Sequence, residues 1–241
     1  MPSPSPMDQY VSFLLSGDRP ACRKFIQDAL AKAKQPSDLY TRILWPAMEQ
    51  IEKIYRADQI NIALEHMATR INRTIADQLQ LSLPCAQRNG KKILIACADG
   101  EPEELGAQMC ADLFESQGWE VCFLGGGVPN DEIVSLAGQI RPELLLIFGT
   151  QPAGVPGVRK LVDRIRDLGV NPTMNIMVSG GVFNRADGLW QEVNADLMAR
   201  TVADAIPMAE AAGPRLPPPP KPGGVKKRRR RRSPLLVEST G

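Results

Sequence analysis

From residue 90 to about 213 the chain alternates short apolar runs with amphipathic segments of helical period. The run Lys92-Ile-Leu-Ile-Ala-Cys97 is apolar on both sides of its pleat, as a strand buried on both faces must be. Runs of the same kind occupy 119–124, 143–148 and 174–178, and Asp196 and Leu197 lie near a fifth. The segments between them, 103–118, 129–139 and 155–168, and a last one at 200–212, have the period of helices. Strand–helix alternation at this spacing predicts a parallel sheet with helices on both faces. Right-handed crossovers then gather the loops that follow each strand along one rim, where open α/β sheets bind ligands.

Residues 7–88 read differently, as helix throughout. Cys22, Phe25, Ile26, Ala29, Leu30 and Ala33 recur at intervals of three and four, an apolar stripe. Ser16-Gly17-Asp18 offers a turn and a cap before it, and Ser37 or Asp38 can cap the segment after it. Pro46 sits inside the third segment, 39–56, and predicts a kink. A fourth segment covers 58–83. Four such helices with short connections give an antiparallel bundle. The expected domains are therefore a four-helix cap at 7–88, a sheet domain at 89–213 and a tail at 214–241.

The tail runs through a polyproline stretch at 217–220 and the block Lys226, Lys227, Arg228, Arg229, Arg230, Arg231 and Arg232. From residue 215 onward nine Lys or Arg face one acid, Glu238, so the net charge of +2 hides an acidic body and a basic tail. Disorder is expected there, with non-specific, salt-sensitive contacts to nucleic acid or acidic surfaces. No aromatic residue is interleaved for base stacking. The five cysteines are widely spaced and contain no C-x-x-C pair, and the N-terminus lacks a secretory pattern, so a cytoplasmic protein with reduced thiols is expected. No apolar run is long enough to span a membrane.

Several stretches, in order, resemble the cobalamin-binding fold of methionine synthases, corrinoid shuttles and light-sensing cobalamin-dependent regulators. Leu15-Ser-Gly-Asp18 resembles that family's first inter-helix turn, and Leu44-Trp-Pro-Ala-Met-Glu-Gln-Ile51 its third helix. Glu65-His66 follows Tyr55 at the interval of the W-x9-E-H signature of the light-sensing branch, whose residues lie over the upper face of the corrin. Leu124-Gly-Gly-Gly-Val-Pro129, Val178-Ser-Gly-Gly181 and Asn194-Ala-Asp196 are similar to its loop, glycine-pair and final motifs. The resemblance implies a helical cap followed by a flavodoxin/Rossmann-like doubly wound parallel sheet, an α/β fold. It implies a cobalamin, or another tetrapyrrole such as biliverdin, between cap and rim.

The departures from the family are as informative. The slot of D-x-H-x-x-G, whose histidine ligates cobalt from below, reads Glu101-Pro-Glu-Glu-Leu-Gly106, with Glu103 in the histidine position. A carboxylate is a poorer partner than imidazole for this metal. Phe148 occupies volume that the family leaves for the nucleotide base, near the Ser-x-Leu position marked here by Thr150. Tyr55 replaces the signature Trp.

The candidate ligand-binding residues are thus Tyr55, Glu65, His66, Cys97, Glu101, Glu103, Gly106, Gly125, Gly126, Gly127, Thr150, Gly180 and Gly181. His66, the one histidine, reads either as a pocket contact or axial ligand, or as a helix residue paired with Glu65. Glu101, Glu103 and Glu104 read as a helix-end cap favoured by the dipole, or as ligand contacts. The glycines read as points of close backbone approach to a ligand. Cys97 reads as a small buried apolar group, or with Cys122 as an attachment point for a linear tetrapyrrole.

The main functional expectation is a non-enzymatic regulatory or photosensory tetrapyrrole-binding module, acting on a regulatory protein partner or through self-association. With no DNA-binding segment ahead of the cap, it would work through that partner or the tail. A corrinoid methyl-transfer shuttle is the first alternative. A ligand-free scaffold whose pocket is filled by Phe148 is the second.

Overall fold

The computed structural model describes residues 5–216. The expectations for 217–241, including the basic block, lie outside the described residues. The chain begins with α1 (Pro6–Ser16), opened by a reciprocal cap between Ser5 and Asp8 and closed at Gly17, whose φ of 71° suits the left-handed end of a helix. Asp18 then accepts from the Ala21 amide at 2.9 Å and starts α2 (Arg19–Leu30), so the Ser-Gly-Asp break acts as expected. A short α3 (Ser37–Leu39) follows. Neither Ser37 nor Asp38 caps it, because both lie inside its single turn after Pro36.

At Pro46 the expected kink takes another form. A π turn over Tyr40–Leu44 precedes α4 (Trp45–Arg56), which places Pro46 in the first turn of a new helix. There its missing N–H costs nothing, and the widened turn keeps its ring clear of the preceding carbonyls. Asn72, fully buried on α5 (Ile62–Gln80), donates to the Leu44 carbonyl at 3.2 Å and accepts from the Tyr10 hydroxyl at 3.0 Å. The helix α5 starts at the Asn61 cap rather than at residue 58, where a left-handed Asp58 belongs to the turn.

The second half places β1 (Lys92–Cys97), α6 (Leu105–Ser116), β2 (Glu120–Gly125), α7 (Asn130–Ile140), β3 (Leu144–Phe148), α8 (Val155–Leu168), β4 (Asn175–Ser179), the short α9 (Gly181–Arg185) and α10 (Leu189–Glu192), β5 (Leu197–Ala199) and α11 (Val202–Ala211) in order. The five strands are all parallel in the order β2-β1-β3-β4-β5. The chain direction across the sheet therefore reverses between β1 and β3, the point at which loops diverge and open a crevice above the strand ends.

Two buried layers hold the fold. One joins α7 and α8 to one face of the sheet through residues such as Ile133, Val162 and Ile176. The other is continuous from the helical part into the sheet: Tyr10, Leu14, Leu44 and Trp45 share it with Leu105, Met109, Phe114 and Phe148. This continuity seats the first helices over α6 and over the rim at the switch point. No helix among the described residues is long and apolar enough to cross a membrane.

Candidate functional site

Above the ends of β1, β3 and β4, and beneath α4 and α5, lies a cleft of about 520 Å³. Trp45, Met48, Ile62, Pro102, Phe148 and Pro152 supply apolar wall, and both halves of the chain supply polar groups. An apolar cavity of this size with a few convergent polar groups is the ordinary form of a small-molecule site.

Of the residues expected from sequence, Tyr55, Glu65, His66, Glu103, Thr150, Gly180 and Gly181 line it together. Glu65 is 8% exposed and accepts from the Thr69 hydroxyl at 3.2 Å, which leaves its other oxygen 3.6 Å from His66 Nε2. Glu103 approaches from the opposite wall, and one ligand atom from each of Glu65, His66 and Glu103 lies within 4.8 Å of the others. Burial, and then the nearby Glu65 charge, push the Glu103 carboxyl up to about 7. On α4, burial also raises Glu49, although the Trp45 indole N–H donates to it at 2.9 Å.

The remaining expected residues lie behind the walls. Glu101 is buried and does not cap α6. It accepts from the Thr150 amide at 2.5 Å, the Thr150 hydroxyl at 2.6 Å, the Glu103 amide at 3.2 Å and the Gln151 amide at 3.4 Å. It thereby fastens the loop after β1 to the loop after β3, across the switch point. Glu104 likewise makes no cap bond with its side chain. It accepts from Arg73 of α5 at 3.1 Å and from the Gly126 amide at 2.6 Å, and that amide bond holds its carboxyl below the usual range.

The glycines also make room for groups of the protein itself. A Cβ on Gly125 would stand 2.9 Å from Glu104 Oε1, one on Gly106 2.2 Å from Phe148 Cζ, and one on Gly180 2.3 Å from the Gly149 carbonyl oxygen. One on Gly181 would meet Arg185 and Glu52. These glycines admit the protein's own groups, and of the set only Gly127 faces open space. Cys97 is also behind the wall. It is 5% exposed, and burial pushes its thiol up to about 12, so it stays protonated and suits the packing role better than attachment. Cys110 is buried on α6, and Cys122 is half-buried.

Sequence reasoning missed Glu49, Glu52, Asn184 and Arg185. The Arg185 guanidinium bridges Glu52 of α4 at 2.5 Å and the Thr150 carbonyl at 2.5 Å, joining residues 133 apart in the chain. No local pattern announces such a contact. Asn184 lines the cleft and donates to the Arg200 carbonyl at 2.9 Å, while its Oδ1 is buried without a donor. Ser179 Oγ, at the end of β4 beside Gly180, is also buried without a partner.

Comparison with known proteins agrees with this architecture. The B12 binding domain matches residues 91–208, and a second B12 binding domain description matches 7–80. Monomethylamine corrinoid protein 1 of Methanosarcina mazei is 22% identical over 208 residues, covering 84% of this chain and 94% of that protein. Dimethylamine corrinoid protein 1 of Methanosarcina acetivorans is 21% identical over 203 residues, covering 81% and 94%. The solved structure of the Methanosarcina barkeri monomethylamine corrinoid protein superposes with a TM-score of 0.76 at 19% identity, over 85% of this chain and 96% of that one.

Proposed function

The chain belongs to the cobalamin-binding (B12-binding) domain family, and from that premise we propose that it carries a corrinoid in the cleft between its helical part and the sheet rim and presents it to a partner protein in methyl transfer. The carrying observation is the cleft itself. It is walled by both matched regions, sits at the switch point and contains a buried acceptor, Asn184 Oδ1, that lacks a donor. A corrin edge bears amide donors, so the residues present fit the ring. The relatives named as methylamine corrinoid proteins favour the carrier role over the regulatory one expected first from sequence.

When bound, a corrinoid supplies a cobalt centre that takes up and gives up a methyl group. The chain's own residues bind and orient. Trp45 and Phe148 exclude water from the apolar wall, and Arg185 with Glu52 holds α4 to the rim. Glu103 keeps a proton on its carboxyl up to about neutrality where the resembled family places an imidazole.

The test is to add hydroxocobalamin, methylcobalamin and biliverdin separately to the purified full chain and to read the visible spectrum after gel filtration. The two corrinoids should co-elute near one per chain, and biliverdin should not. Release of both corrinoids would refute the proposal. The regulatory reading is favoured by one observation, the Glu65–His66 pair of α5 facing Glu103 across the cleft. Light-dependent change in the oligomeric state of adenosylcobalamin-loaded protein would support it over the carrier.

A further inference from the structure

The floor of the cleft is an aromatic ring of the protein. Phe148 ends β3 with 1% of its surface exposed, stands edge-on to Trp45 with ring centroids 6.2 Å apart, and lies so close over Gly106 that a Cβ there would be 2.2 Å from its Cζ. Cys97 and Leu105 are buried in the same layer. On the β4 side the rim is closed in the same way. Gly180 rests on the Gly149 backbone, and a Cβ on Gly149 would lie 3.3 Å from the Ala98 methyl group. At the strand ends Gly106, Gly149 and Gly180 are thus each packed against protein atoms.

A complete cobalamin consists of a corrin ring and a nucleotide loop that ends in an aromatic base. A site that buries both needs a second compartment beneath the ring. Here the Phe148 ring fills the apolar space over Gly106 and beside Trp45. Of the buried polar atoms without partners, Asn184 Oδ1 belongs to a residue that lines the cleft, where it suits the amide donors common to all corrinoids.

We infer that this chain recognises its corrinoid by the ring alone, that Phe148 excludes the nucleotide base from the protein interior, and that base-free corrinoids of the cobinamide class are bound as well as complete cobalamins. This rests on the corrinoid-carrier reading and specifies the ligand class of that same cleft. A base held beneath the ring of free cobalamin would meet Phe148 and would have to leave before the ring could seat. Cobinamide has no base to displace, so its affinity should equal or exceed that of cobalamin.

The experiment is equilibrium dialysis of the purified full chain against aquocobinamide and hydroxocobalamin in parallel. Dissociation constants within threefold of each other, or lower for cobinamide, are expected. A tenfold or greater preference for cobalamin would overturn the inference and leave the carrier reading standing. Failure of both ligands to bind would overturn the carrier reading and the inference with it. The variant Phe148→Ser, checked by circular dichroism for native structure, should shift the ratio at least fivefold toward cobalamin. An unchanged ratio in folded variant would take the exclusion away from Phe148. If that variant does not fold, the wild-type ratio alone decides.

Discussion

Replacing Glu103 by Gln should stabilise the protein above neutral pH and leave it nearly unchanged in acid. The carboxyl stands in a half-buried position facing Glu65, and its folded-state value rises from an ordinary 4.5 to about 7. Between those values the folded chain holds a proton that the unfolded chain has released, so stability falls as pH rises through this window. The interval corresponds to an upper bound of about 3 kcal/mol. Part of the side chain reaches solvent, and screening brings the expected effect to ~1–2 kcal/mol. Gln keeps the shape of the side chain and removes the titration. For a chain of this length, ~1–2 kcal/mol is a rise in Tm of roughly 2–8 °C. Thermal melts of both proteins, followed by circular dichroism near pH 4.5 and near pH 8, test this. The melts should nearly coincide in acid and separate in base, with the variant the more stable. Equal Tm values near pH 8 would refute the burial and Glu65 repulsion on which the reasoning depends.

Other outcomes follow from particular contacts. Glu101→Ala strips the Thr150 amide and hydroxyl of their acceptor in a buried place and should cost ~2–4 kcal/mol in urea unfolding, with loss of corrinoid co-elution as the two rim loops part. Gly106→Ala drives a methyl group into the Phe148 ring and should destabilise by ~1–3 kcal/mol, whereas Gly127→Ala, which meets no neighbour, should cost only the strain of its left-handed backbone. Tyr40→Phe removes the hydroxyl that donates to Asp112 at 3.0 Å and should destabilise by ~1–3 kcal/mol, more above pH 6 than below it, because burial has raised Asp112 to about 6. Arg185→Ala should weaken hydroxocobalamin binding with little change in Tm, since the bridge to Glu52 is half-exposed. A large fall in Tm with unchanged affinity would contradict that assignment.

The elements were legible wherever side-chain periodicity reports local geometry. The first strand and α8 fall where the apolar pattern places them, at Lys92–Cys97 and Val155–Leu168. The Ser-Gly-Asp break is a turn for reasons carried by those three residues alone. The short α9 and α10 escaped notice because neither is long enough to show a period. Pro46 marked a disturbance, but its form as a π turn depends on Asn72 from another helix, which satisfies the Leu44 carbonyl.

The site divides along the same line. Tyr55, Glu65, His66 and Glu103 were picked out by their places in motifs that resemble those of the cobalamin-binding family, and the fold brings them from two helices and a strand-end loop to one cleft. Sequence alone thus determined the class of fold, the rim that carries the loops and the absence of an imidazole at residue 103. Only the tertiary structure decided what the glycines and carboxylates do. Glu101 became a clamp because the strand order sets β1 beside β3. Gly106, Gly125 and Gly180 went to the protein's own packing because the partners that fill them come from distant parts of the chain. Whether a missing side chain leaves space for a ligand or admits a neighbour depends on which groups are packed against it, and that is a property of the three-dimensional arrangement, which no local pattern encodes.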